Sequence, residues 1–152
     1  MKPSPVSPLD AHLGYWMRFV SNRVSAQFQL AVEEAGVSVA EWVALRTLLD
    51  GGQVTHGTLT EALGMTKGAV SKVIARLEDK GLVTRQSADG DARLLVLALT
   101  PAGRALVPRL AAIADDNDRQ FFGHLPPQQR EQLMGLLQEI VFLHQLNEVP
   151  VR

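Results

Sequence analysis

The chain has 152 residues, 46% of them hydrophobic and 20% charged, which suffices for one buried core in one domain. It contains no cysteine, which excludes a disulfide framework, Cys-ligated zinc, a thiol nucleophile and thiol-based redox sensing. The formal net charge of −1 neither favours nor excludes a polyanionic partner; no apolar run approaches the ~18 to 20 residues of a bilayer span, and Met1 to Pro5 lacks a signal-peptide core, so a cytoplasmic protein with no membrane partner is expected.

The Pro-rich start, to Pro8, is expected to fray. From Leu9 onward Leu13, Trp16, Met17, Val20, Val24, Phe28, Ala31 and Val32 recur at steps of three and four, predicting one long helix over about 9–35 that stops at Gly36. Ser38-Val39-Ala40-Glu41 has the S-x-x-E form of a capping box, so a second helix runs to about Leu49 before Asp50-Gly51-Gly52. Thr58-Leu59-Thr60-Glu61 repeats that form and predicts a short third helix ending at Gly64. Thr66 then caps a fourth, with Val70, Val73, Ile74 and Leu77 on its buried face and Gly81 beyond its end. Two helices joined by a short Gly-containing link make a helix-turn-helix.

Leu82 to Gln86 and Arg93 to Leu99 read as β-runs around Ser87-Ala88-Asp89-Gly90-Asp91, whose Asp-Gly is a hairpin turn signal. A hairpin directly after a helix-turn-helix forms the wing of a winged helix. Thr100-Pro101 opens a fifth helix, in which Pro108 is expected to cause a kink or an early break. A sixth carries Leu133, Leu136, Leu137, Ile140, Val141 and Leu143 from Pro126-Pro127 to about Leu146. The fold class is therefore mainly α with a small β-hairpin wing: a winged helix-turn-helix core over 38–99, flanked by long helices.

Charge is concentrated in that core. From Gly64 to Arg85 five basic residues (Lys67, Lys72, Arg76, Lys80, Arg85) face Glu78 and Asp79, a local +3 that leaves −4 on the rest of a chain whose net is −1. A basic segment on an acidic body outlines a nucleic-acid reader. The apolar stripe of the fourth helix turns Lys67, Gly68, Ser71, Lys72, Ala75, Arg76 and Asp79 outward. Small residues there permit close approach to a major groove about 12 Å wide, while Lys and Arg reach guanine edges or phosphates. The free N–H groups behind Thr66 suit a phosphate. A solvated basic helix explains the charge equally, but leaves Gly68 as an uncompensated cost of about 1 kcal/mol in helix propensity. Arg93, just past the hairpin tip, suits an adjacent minor groove, with Asp91 placed to orient its guanidinium; an exposed turn residue is the alternative.

The stretches LTEALGMTKGAVSKVIARLEDKGLVTR and DGDARLLVLALTPAGRAL resemble the winged-helix core of the MarR family of bacterial transcriptional regulators, and the likeness extends to the first and last helices. That resemblance implies a homodimer interlocked through the first and last helices (about 9–35 and 126–146), binding double-stranded DNA at a palindromic operator, most simply as a repressor. It places Lys67, Gly68, Ser71, Lys72 and Arg76 of a recognition helix over about 67–80 at the DNA, beside the phosphate site read at Thr66, and makes Arg93 the wing arginine. Ala92 stands where the family often has a first basic residue after the wing Asp, which points to a weaker wing contact. The apolar surface of the long terminal helices agrees with a second chain covering it. Relatives often respond to small aromatic or phenolic acids, and Trp42 with Arg46, one turn apart, resembles positions lining such pockets; His12 and Trp16 are candidates to join them. Trp16 and Trp42 equally read as plain core.

No G-x-S-x-G, H-E-x-x-H or phosphate-cradling glycine loop is present, so no enzyme activity is expected. His12, His56, His124 and His144 lack metal-ligand spacing, and no metal or cofactor is expected. The rival reading is a winged helix used as a protein-interaction module.

Overall fold

The computed structural model describes residues 5–88 and 90–151, and of Asp91, Ala92 and Arg93 the backbone alone. A 3-10 turn, Leu9–Ala11, precedes α1 (Leu13–Glu34) and α2 (Val39–Gly51). Then come β1 (Val54–Thr55), α3 (His56–Leu63), α4 (Lys67–Asp79), β2 (Val83–Ala88), β3 (Asp91–Leu99), α5 (Pro101–Phe122) and α6 (Pro127–Leu143). The three strands form one antiparallel sheet in the order β1-β3-β2. This is the expected winged helix between long flanking helices.

The first helix begins later than its apolar period suggested. His12 is extended (φ −101°, ψ 126°) and separates the 3-10 turn from α1. Trp16 Nε1 donates to the Asp10 carbonyl at 2.8 Å, pinning the turn across the helix start. The third helix begins earlier than predicted, capped by Thr55 rather than Thr58: Thr55 Oγ1 accepts from the Thr58 N–H at 3.2 Å. Strand β1 is the reason. It pairs Val54 with Leu97 and Thr55 with Val96, so Thr55 arrives in the extended conformation that a cap requires. Two residues are too few for strand periodicity to reveal.

The core lies beneath the winged helix. Leu45 and Leu48 of α2, Leu59 and Leu63 of α3, Val70, Ile74 and Leu77 of α4, and Val107 and Leu110 of α5 are fully buried against Leu97 and Leu99 of β3. The start of α5 is locked to the strand entry. Thr100 Oγ1 donates to the Gly81 carbonyl at 2.6 Å and accepts from the Gly103 N–H at 3.1 Å. A Cβ on Gly103 would lie 2.1 Å from the Leu82 carbonyl oxygen, so only glycine permits this approach. α5 runs through Pro108 without the expected break. Pro108 is exposed, so the Arg104 carbonyl that lost its helical donor faces the solvent side, where water can satisfy it. α6 ends three residues short of its predicted limit, where Gln145 adopts φ 52° and the Leu146 N–H folds back to the Val141 carbonyl at 3.0 Å.

Candidate DNA interface

Gly64, at φ 62°, turns the chain between α3 and α4, and Thr66 Oγ1 caps α4 by accepting from the Ala69 N–H at 3.2 Å. With Val70, Val73, Ile74 and Leu77 buried, Thr66, Lys67, Gly68, Ser71, Lys72 and Arg76 all lie on the exposed face, as the period required. The five basic residues divide into two groups. Lys80 Nζ reaches the buried Glu41 Oε2 at 2.6 Å and the Gly36 carbonyl at 2.9 Å, and Arg85 Nε reaches Glu78 Oε1 at 2.7 Å. Lys67, Lys72 and Arg76 have no ion-pair partner among the described residues. Within this segment the free positive charge thus lies on the outer face of α4. A Cβ on Gly68 would meet nothing within 4 Å, so no packing inside the chain demands glycine there.

Sequence reasoning missed His56. Its ring lies between α3 and α4, with Nε2 3.0 Å from Ser71 Oγ and Nδ1 3.2 Å from Thr60 Oγ1. These residues share no periodic pattern, and only the packing of α3 on α4 joins them. In the wing, Ala88 pairs with Asp91 across a turn in which Gly90 has φ 83°. The Asp91 and Arg93 side chains lie outside the described residues, so their predicted contacts have no structural counterpart to compare.

A cleft of about 380 Å³ opens between α1, α2 and α5, lined by Val24, Phe28, Trp42, Val43, Asn117 and Val149 among others. Asn117 donates through Nδ2 to the Val24 carbonyl at 3.2 Å, which leaves its Oδ1 buried and unpartnered among the described residues. Asp118, also on the wall, binds Arg130 at 2.5 Å, and that hydrogen bond and charge raise the Arg130 pKa above its usual value. The four predicted effector residues do not meet within one chain. Trp42 lines the cleft; Arg46 pairs with Asp50 at 2.7 Å; His12 and Trp16 are exposed near the start of α1, with Trp16 about 12 Å along the helix axis from Val24. The C-terminal residues return to this region, Val149 and Pro150 lining the cleft and Asn147 passing beside Gly64.

Residues 35–94 match the model of the MarR family. An HTH-type transcriptional repressor of Mycobacterium tuberculosis is 32% identical over 123 residues, covering 80% of this chain and 88% of its own length. The chain belongs to the MarR family. Among solved MarR-like structures, a probable transcriptional regulator from Pseudomonas aeruginosa is 31% identical with a TM-score of 0.73, covering 88% of this chain and 99% of its own. BpsR of Bordetella bronchiseptica, whose DNA binding is regulated by 6-hydroxynicotinic acid, is 27% identical with a TM-score of 0.75, covering 90% and 97%.

This MarR-family chain leaves much apolar surface uncovered. α6 buries none of its residues, although Leu136, Ile140, Val141, Phe142 and Leu143 all lie along it. On α1, Leu13, Trp16, Phe19 and Val20 are similarly exposed, with Tyr15 and Phe19 stacked edge-on at 5.0 Å. No helix among the described residues is long and apolar enough to cross a membrane.

Proposed function

We propose that this MarR-family regulator is a repressor that binds a palindromic operator in double-stranded DNA as a homodimer. The observation that carries this reading is the division of charge on the basic segment: Lys80 and Arg85 are engaged inside the chain, while Lys67, Lys72 and Arg76 stand free around an unpacked Gly68. In this reading Thr66, Lys67, Gly68, Ser71, Lys72 and Arg76 meet the major groove and phosphates, and Asp91 and Arg93 of the wing serve the neighbouring minor groove. The chain acts as a single domain over 1–152, its 38–99 region reading DNA and its 9–35 and 126–146 segments dimerising. The bare apolar faces of α1 and α6 support that assignment, since a second copy buries them and a monomer leaves them in water. A twofold axis would set the two α4 helices about one DNA turn, ~34 Å, apart.

The cleft beside Trp42 is proposed to take a small aromatic or phenolic acid that releases the DNA, with His12, Trp16 and Arg46 completing the set in the dimer. A coupling of ~1 to 3 kcal/mol between the two sites suffices. Ligand control of DNA binding in BpsR supports the idea. As a DNA-bound regulator the protein works in the cytoplasm, without a metal, a cofactor or catalysis of its own.

The test is selection from a random duplex library at two salt concentrations. A palindrome whose affinity falls steeply with salt is the expected result. No enrichment and no salt dependence would overturn the reading in favour of a protein-interaction module.

A further inference from the structure

We propose that His56 is a positioning residue for sequence readout, which fixes the polarity that the Ser71 hydroxyl presents to DNA. The proposal rests on the DNA-binding reading above. Thr60 Oγ1 has a single proton and donates it to the His56 carbonyl at 2.8 Å. Toward His56 Nδ1, at 3.2 Å, the same oxygen therefore accepts, so Nδ1 carries the ring hydrogen. In the neutral ring Nε2 is then the acceptor, and the Ser71 hydroxyl, 3.0 Å away, donates to it.

The consequence falls on the exposed side of α4. A serine hydroxyl by itself is ambivalent: it rotates and serves donor or acceptor edges alike. With its proton held by His56, Ser71 offers lone pairs outward. That suits the amino groups of cytosine N4 or adenine N6 and disfavours the acceptor edges of guanine. Ser71 has no other hydrogen-bond partner among the described residues, so this polarity depends on His56 alone. The residue belongs to α3, yet its influence is exerted through α4.

The experiment repeats the duplex selection with wild type, His56→Leu, His56→Gln, Ser71→Ala and the His56→Leu/Ser71→Ala double variant, each first checked for an unchanged melting curve. Wild type is expected to prefer an amino-bearing base at one position of each half-site. His56→Leu should lose about two- to tenfold of that preference, at that position only and with the salt slope unchanged. Ser71→Ala should lose the same, and the double variant no more than either. His56→Gln, whose Oε1 reaches the place of Nε2, should restore it. An unchanged preference in His56→Leu, a uniform loss across all sequences, or losses that add in the double variant would overturn the role while the wild type still enriches an operator. Failure of the wild type to enrich any sequence would instead remove the DNA-binding reading itself, and this role with it.

Discussion

Lys80 lies in the basic segment but its side chain serves the fold, and replacing it with alanine separates the two roles. Glu41 Oε2 sits 2.6 Å from Lys80 Nζ, and the Glu41 side chain is only 4% exposed whereas that of Lys80 is 39% exposed. Removing one partner of a fully buried pair costs about 3–5 kcal/mol, because the remaining charge is stranded. Water at Lys80 screens this pair, so the expected loss for Lys80→Ala is about 2 kcal/mol, including the lost bond to the Gly36 carbonyl. For a chain of this size that corresponds to a melting temperature lower by about 4–8 °C. Urea denaturation at fixed protein concentration measures it, the concentration being held because dimerisation contributes to apparent stability. Pairing Lys80→Met with Glu41→Gln should recover most of the loss, since neither side chain is then a stranded ion. DNA binding by folded Lys80→Ala should keep its full salt slope. A stability change below about 0.5 kcal/mol, or a salt slope reduced by about one, would show that Lys80 acts at phosphate and not in the fold.

Gly68→Ala should stabilise the chain by about 0.5–1 kcal/mol, because the new methyl meets nothing and improves helix propensity, while operator affinity falls; unchanged affinity would mean that DNA does not approach there. Arg76→Ala should cost ~1 to 3 kcal/mol of operator binding, concentrated at one base if Arg76 reads an edge and uniform across sequences if it holds phosphate, as competition binding would show. Pro108→Ala should raise stability by about 1 kcal/mol or more, seen as a higher urea midpoint, because it restores an N–H to the Arg104 carbonyl on an exposed helix face. Gly64→Ala should destabilise for two separable reasons: φ 62° costs a side chain about 1 kcal/mol, and its Cβ would lie 2.8 Å from the Asn147 carbonyl oxygen. Deleting residues 147–152 should relieve the second part only; full recovery or none would contradict this division.

Local physics made most of this protein legible from its residues. The period of 3.6 on α4 separated Val70, Val73, Ile74 and Leu77 from Lys67, Ser71, Lys72 and Arg76, because a helix one turn wide cannot bury both sets. Ser38, Thr66 and Thr100 announced their helix starts, since a cap needs only its own hydroxyl and an N–H three residues on. What stayed hidden depended on partners far along the chain. Thr55 and not Thr58 caps α3 because β3 pairs with Val54 and Thr55 more than forty residues away. Pro108 fails to break α5 because that face of the helix turns to water, which the order of residues does not state. The charges within the basic segment look alike in sequence, and only the approach of α2 to the end of α4 assigns Lys80 to Glu41 and leaves Arg76 free. His56 and Ser71, fifteen positions apart, become one unit only when α3 packs on α4. Sequence alone thus determined the six helices, the wing hairpin and their apolar faces, because those follow from short-range geometry, while β1 and the exact starts of α1 and α3 did not. Tertiary structure decided which polar groups are already satisfied within the chain, and hence which remain available to DNA.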